Sequence, residues 1–150
     1  MNRDGDIIKA LGYVTIYAAY LEEGVDVLIE RLSKINGLDS VSVRDPVSKK
    51  INWCQSAIKS LGDSRLTQLE FVLHDAKKLF EKRNEIIHGR IYAGNERGDN
   101  LKSSRANIPT RIVTADELYA LAADLFAAQG KVQYQSMFAT LEAISRRNGA

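Results

Sequence analysis

The sequence predicts an all-α fold: four to five helices in an up-and-down bundle, with a short β-ribbon or a flexible loop between the last two long helices. Three observations carry this. Four stretches place apolar residues three or four apart, the period of a helix with one buried face. The two prolines, Pro46 and Pro109, both fall between those stretches. Capping residues and glycines stand at the expected ends.

The first stretch covers residues 6–35. Ile7, Leu11, Val14, Ala18, Leu21, Val25, Leu28, Leu32 and Ile35 form its stripe, and Gly37 is a C-terminal stop. The second opens at Asp45-Pro46, an N-cap followed by proline at the first helical position, and runs through Val47, Ile51, Cys54, Ile58 and Leu61 to Gly62. The third starts near Ser64. Its stripe is Leu66, Leu69, Leu73, Ala76, Phe80 and Ile87, with Arg83 in the gap before Ile87, and Gly89 terminates or loosens it. The fourth begins at Thr114, whose spacing to Glu117 is that of a capping box. It carries Leu118, Leu121, Leu125, Ala128, Val132, Phe138, Leu141 and Ile144, and Gly130 is a point where it can bend or split.

Four amphipathic helices with short links bury their stripes most simply as a bundle. The link from Arg90 to Val113 is the exception, being over 20 residues long by count along the sequence. Two β-branched or aromatic runs, residues 90–93 and 111–114, flank its Gly/Asn/Ser-rich centre and can pair as a ribbon. The link is also the most basic part of the chain, with Arg90, Arg97, Lys102, Arg105 and Arg111 against Glu96 and Asp99.

With 150 residues, 45% of them hydrophobic and 27% charged, the chain fits a single domain over residues 1–150. A net charge of +2 neither demands nor forbids nucleic acid. One cysteine, Cys54, allows no internal disulfide. With only two histidines, it leaves little material for zinc, and no ligand spacing suggests another metal or a cofactor. Asp4 and Asp6 stand where a signal peptide would be basic, and no apolar run approaches the roughly 20 residues that span a bilayer. A cytoplasmic protein with no membrane association is the expectation.

Residues 81–92 say most about function. A permanent cation, Arg83, precedes a group that exchanges protons near neutral pH, His88. Together they are the minimum kit for metal-free phosphodiester chemistry. Five residues apart on a helix, they differ by about 140° around the axis. Convergence therefore needs an unwound last turn at Gly89 or a second copy of the chain. Each residue also has a structural reading. Arg83 can be a half-buried arginine paired with a carboxylate such as Glu22, and His88 a histidine favoured by the helix C-terminus. Glu81 and Glu85 suit solvated positions or pairs with Lys77 and Lys78.

Arg83-Asn84, three further residues and His88-Gly89, at the end of the third helix of a small helical protein, resemble the HEPN superfamily. Its signature is an Arg, usually a polar residue next, and four to six residues in all before a His. Here four intervene, from Asn84 to Ile87. The helix order, Leu21-Glu22-Glu23 on the first helix and Ile86-Ile87 before the histidine extend the likeness over most of residues 6–145.

The resemblance implies a metal-independent endoribonuclease acting as a homodimer, with two motif copies facing one cleft. It also implies a toxin or antiphage role with a neutralising antitoxin or regulatory partner. Arg83 and His88 are then the catalytic residues, Asn84 supports them, and Glu22 lends structural support. Arg90, Lys102, Arg105 and Arg111 are candidates for RNA or phosphate contact. Tyr92 stands four residues after His88, whereas some nucleotidyltransferase-linked members carry a tyrosine two residues after it, so no modification of Tyr92 is implied. The alternative is a HEPN-like module that binds nucleotide or protein without catalysis. A third reading is a plain bundle holding a buried Arg83–Glu22 pair.

Weaker features complete the reading. Trp53 and Cys54 suit the core, His74 the surface. Tyr13, Tyr17 and Tyr20 form a stripe compatible with a dimer face or with ordinary packing.

Overall fold

The computed structural model describes residues 3–36, 41–95, 98–105 and 107–148. Helix α1 (Arg3–Asn36) is followed by α2 (Val47–Leu61), a single 3₁₀ turn (Ser64–Leu66) and α3 (Thr67–Ile87). Strands β1 (Arg90–Asn95), β2 (Gly98–Lys102) and β3 (Arg111–Val113) come next. Helix α4 (Ala115–Gln135) then continues through a π-helical turn (Ser136–Thr140) into α5 (Leu141–Asn148).

The helices form where the 3.6-residue period places them, and their stripes meet in one core. On α1, Ile7, Val14, Ala18, Leu21, Val25, Leu28 and Leu32 are buried, with Leu11 and Ile35 packed at the edge. Gly37 lies outside the described residues. At the start of α2, Pro46 itself occupies the cap, with extended backbone and no side-chain hydrogen bond. Asp45 instead closes the turn before it, accepting from the Ser42 amide at 3.0 Å. Gly62 ends α2 as expected, at φ 60°, its amide donating to the carbonyls of Ile58 and Lys59. Thr114 caps α4 by accepting from the Glu117 amide at 3.1 Å.

Three expectations are corrected. On α3 it is Ile86 that completes the buried stripe, and Ile87 is exposed, because the step from Phe80 through Arg83 to Ile86 is three and three. On α4, Gly130 does not split the helix, which runs unbroken from Ala115 to Gln135. The irregularity comes at Ser136–Thr140, where the Thr140 hydroxyl donates to the Ser136 carbonyl. There the buried positions are Ser136, Ala139 and Thr140, and Phe138 and Leu141 face outward. The helical period from Val132 selects position, and here it selects polar and small residues.

The third correction concerns order. The expected helical bundle is present, but it is not up-and-down. Tyr13 meets Tyr119 at a ring separation of 6.1 Å, Tyr17 meets Phe126 at 5.2 Å, and Arg31 donates to Ser136 at 3.0 Å, so α1 and α4 run parallel. The cause is the link after α1. Val41 and Val43 lie back along α1, sharing a groove with Asp26, Glu30 and Ser33. Helix α2 therefore starts beside the middle of α1.

Lys50 fixes that start. It is 1% exposed, and its ammonium lies 3.0 Å from Glu22 and 2.8 Å from Asp26. Burial disfavours the charge, yet hydrogen bonds to Asp26 and Glu22 hold the Lys50 pKa above its ordinary value. Sequence reading missed this lysine. The only signal was a pair of acids four apart on α1, facing the same way.

The long link is neither a two-run ribbon nor a loop. It is a three-stranded antiparallel sheet in the order β1-β2-β3. The two runs at its ends each pair with β2, formed from the polar centre, and not with each other.

Candidate functional site

Helix α3 keeps its geometry to the end of the motif. His88 holds right-handed helical backbone at φ −90°, ψ −4°, and its amide donates to the Asn84 carbonyl at 3.0 Å. Gly89 then tightens the chain by donating to the Ile86 carbonyl at 3.2 Å. The last turn is not unwound, so within one chain Arg83 and His88 stay on different faces.

Gly89 is needed for space. A Cβ there would meet Leu101 Cδ1 at 2.5 Å and the Glu85 carbonyl at 2.9 Å. The end of α3 thus lies directly on β2, which swings the chain from helix to sheet within two residues.

Asn84 joins the two halves of the motif. Its Oδ1 accepts from Arg83 Nη1 at 2.9 Å. Its own position, one turn before His88, puts it in the same groove as the histidine. Arg83 is half-buried where the apolar stripe passes, and its Nε is buried with no hydrogen-bond partner among the described residues. Arg83 does not pair with Glu22, which is taken by Lys50. This removes the expected structural support of Arg83 by Glu22, along with the reading of a buried Arg83–Glu22 pair.

The groove holds about 450 Å³. One wall is a single face of α3, with Glu81, Asn84, Glu85 and His88. The other comes from the segment after β2, with Ser103, Ser104, Arg105 and Ile108. The Arg105 amide donates to Ser103 Oγ at 3.1 Å, and Asn107 takes φ 72°, a conformation asparagine tolerates. His88 and Arg105 are exposed. An imidazole, a guanidinium and an amide thus share one open cleft.

Arg111 serves the scaffold. Its Nε lies 2.7 Å from Glu85 and its Nη1 2.8 Å from Glu117. Partial burial opposes the charge, but the two carboxylates raise the Arg111 pKa above the ordinary value. The clamp ties β3 to the last turns of α3 and the first turn of α4. It takes up Glu85, which forms no pair with Lys77 or Lys78. Lys77 donates to Asn52 at 2.9 Å instead.

Arg90 and Lys102 sit on β1 and β2, directly opposite each other and exposed. Arg97 and Glu96 lie outside the described residues. Of the four link cations expected to meet phosphate, Arg105 lines the groove, Arg90 and Lys102 lie on the sheet and not in its lining, and Arg111 is held by two carboxylates.

Other residues fall outside the site. Cys54 is fully buried, and burial, with Asp26 nearby, pushes its thiol up to about 12. His74 is exposed on α3. Tyr17 is half-buried against Phe126, while Ile16, Tyr20 and Phe126 remain exposed. No cluster of three or more His, Cys, Asp or Glu able to hold a metal occurs among the described residues. No helix among them is long and apolar enough to cross a membrane. Ser103, Ser104 and Ile108 were not singled out from sequence, because nothing local marks a loop that another element will face.

Comparison of the chain with family models, with curated proteins and with solved structures gives no match.

Proposed function

We propose that this protein is a HEPN-type, metal-independent endoribonuclease that works as a homodimer in the cytoplasm. The observation that carries the reading is the Arg83–Asn84 hydrogen bond joined to a groove that Asn84 shares with His88. In this reaction the RNA's own 2′-hydroxyl attacks the adjacent phosphorus, and the bond to the 5′-oxygen breaks. The products are a 2′,3′-cyclic phosphate and a 5′-hydroxyl. His88 takes or gives the proton, the imidazole being the side chain suited to general acid and base work. Arg83 braces the non-bridging oxygens through its planar fork.

In one chain Arg83 does not line the groove, so a second copy supplies the partner half-site. The exposed Ile16, Tyr20 and Phe126 offer it an apolar face. Each site then joins Arg83 of one copy to His88 of the other. A toxin or antiphage role with an antitoxin partner rests on the resemblance alone.

The test is cleavage of a generic RNA with chelator present. Loss of activity in both Arg83→Ala and His88→Ala, with the fold retained, supports the proposal. Activity surviving in both ends it.

The separation of Arg83 from the groove in a single chain also favours a second reading, a non-catalytic module that binds nucleotide or protein. On that reading His88→Ala alters partner binding or stability and no cleavage is seen.

A further inference from the structure

The strand register divides the sheet into two unlike faces. Ile91, Asp99, Leu101, Arg111 and Val113 point toward the helices, and Leu101 and Val113 are fully buried there. Arg90, Tyr92, Asn100, Lys102 and Ile112 share the opposite face. Tyr92 is 48% exposed and Ile112 45% exposed, and Arg90 and Lys102 are exposed as well.

Two features of this outer face call for a ligand. Arg90 and Lys102 are direct cross-strand partners. Like charges so placed repel, and neither forms an ion pair with any described residue. Beside them, Tyr92 presents an exposed ring where a polar residue would be the usual choice for a solvent-facing strand position. A paired cation site next to an open aromatic ring matches one chemistry in particular. An unpaired nucleobase stacks on the ring while its phosphates meet the cations.

Along the chain, this face adjoins the groove. Arg90 follows His88 by two residues, a Cα separation of at most about 7 Å. Lys102 immediately precedes Ser103 of the groove wall.

We propose that the outer face of the β-sheet is a platform for single-stranded RNA, with a base stacked on Tyr92 and the backbone held by Arg90 and Lys102. The proposal takes its ligand from the ribonuclease reading, and its test separates the two. Binding is measured by fluorescence anisotropy on labelled single-stranded RNA carrying 2′-fluoro groups, which lack the attacking hydroxyl. Tyr92→Phe should bind as wild type. Tyr92→Ala should weaken binding about tenfold or more. Arg90→Ala with Lys102→Ala should lower affinity and flatten the salt dependence by about 1.4 in log K per log salt, two phosphate contacts' worth. Duplex RNA of the same sequence should compete poorly.

Wild-type-like affinity and salt slope in Tyr92→Ala and in the double variant, each folded by circular dichroism, would overturn the platform, as would no binding by wild type. Cleavage of unmodified RNA, assayed separately, reports on the ribonuclease reading. Tyr92-dependent binding without cleavage keeps the platform and ends the enzyme. Cleavage without Tyr92-dependent binding does the reverse.

Discussion

Arg83 donates to Asn84 Oδ1 at 2.9 Å, and the Asn84 carbonyl accepts from the His88 amide at 3.0 Å. One asparagine thus orients the cation and sits one turn below the imidazole. Asn84→Ala should keep the fold and lower the cleavage rate about tenfold, the loss of one charge-assisted hydrogen bond. His88→Ala should lower it by about 10²–10⁴-fold. Single-turnover kinetics on one RNA compares them, and equal losses would contradict a supporting role for Asn84.

The separation of Arg83 from the His88 groove makes a prediction about subunits. If Arg83 of one chain acts with His88 of its partner, mixing inactive Arg83→Ala and His88→Ala proteins restores one intact site per mixed dimer. Co-refolded mixtures should recover up to about a quarter of wild-type activity, by the statistics of a two-fold assembly. No recovery, with exchange of subunits demonstrated, would argue against a site shared in this way.

Gly89 has no room for a side chain. Gly89→Ala pushes a methyl onto Leu101 Cδ1 and the Glu85 carbonyl, and the carbonyl belongs to a helix that cannot yield. Overpacking of this kind costs about 1–3 kcal/mol. Denaturant unfolding should show that loss, and amide exchange should speed up in β1 and β2. Unchanged stability would mean that the end of α3 does not rest on the sheet.

Lys50 should govern stability in alkali. Its folded pKa is raised above the unfolded value, so its pair with Glu22 and Asp26 contributes fully below about pH 10. That contribution is lost as pH rises through the folded pKa. Lys50→Met should cost about 2–3 kcal/mol near neutrality. This is less than the roughly 3–5 kcal/mol of a fully buried pair, since Glu22 and Asp26 are 39% and 30% exposed. The variant should also lose this part of the alkaline decline. Thermal unfolding across pH measures both.

Much of this fold can be read from local pattern. The stripes of α1 and α2, the Gly62 stop and the Thr114 cap follow from period and capping chemistry, which act within one or two turns. The errors have a common cause. Ile87 in place of Ile86, and Phe138 and Leu141 in place of Ser136 and Thr140, come from following hydrophobicity where position around the axis decides burial. The β2 strand was hidden because its residues are polar and glycine-rich, and only pairing on both sides makes them a strand.

At the candidate site the division is similar. The sequence by itself determined that Arg83, Asn84 and His88 end a helix, that Arg83 interrupts its apolar stripe, and that the two ends of the motif lie on different faces, because helical geometry is local. The tertiary structure decided the rest. It bound Glu22 to Lys50, turned Arg111 into a clamp, set Ser103–Arg105 across from His88, and gathered Arg90, Tyr92 and Lys102 on one open face. Each of these brings together separate elements of the chain, and only packing and strand register do that.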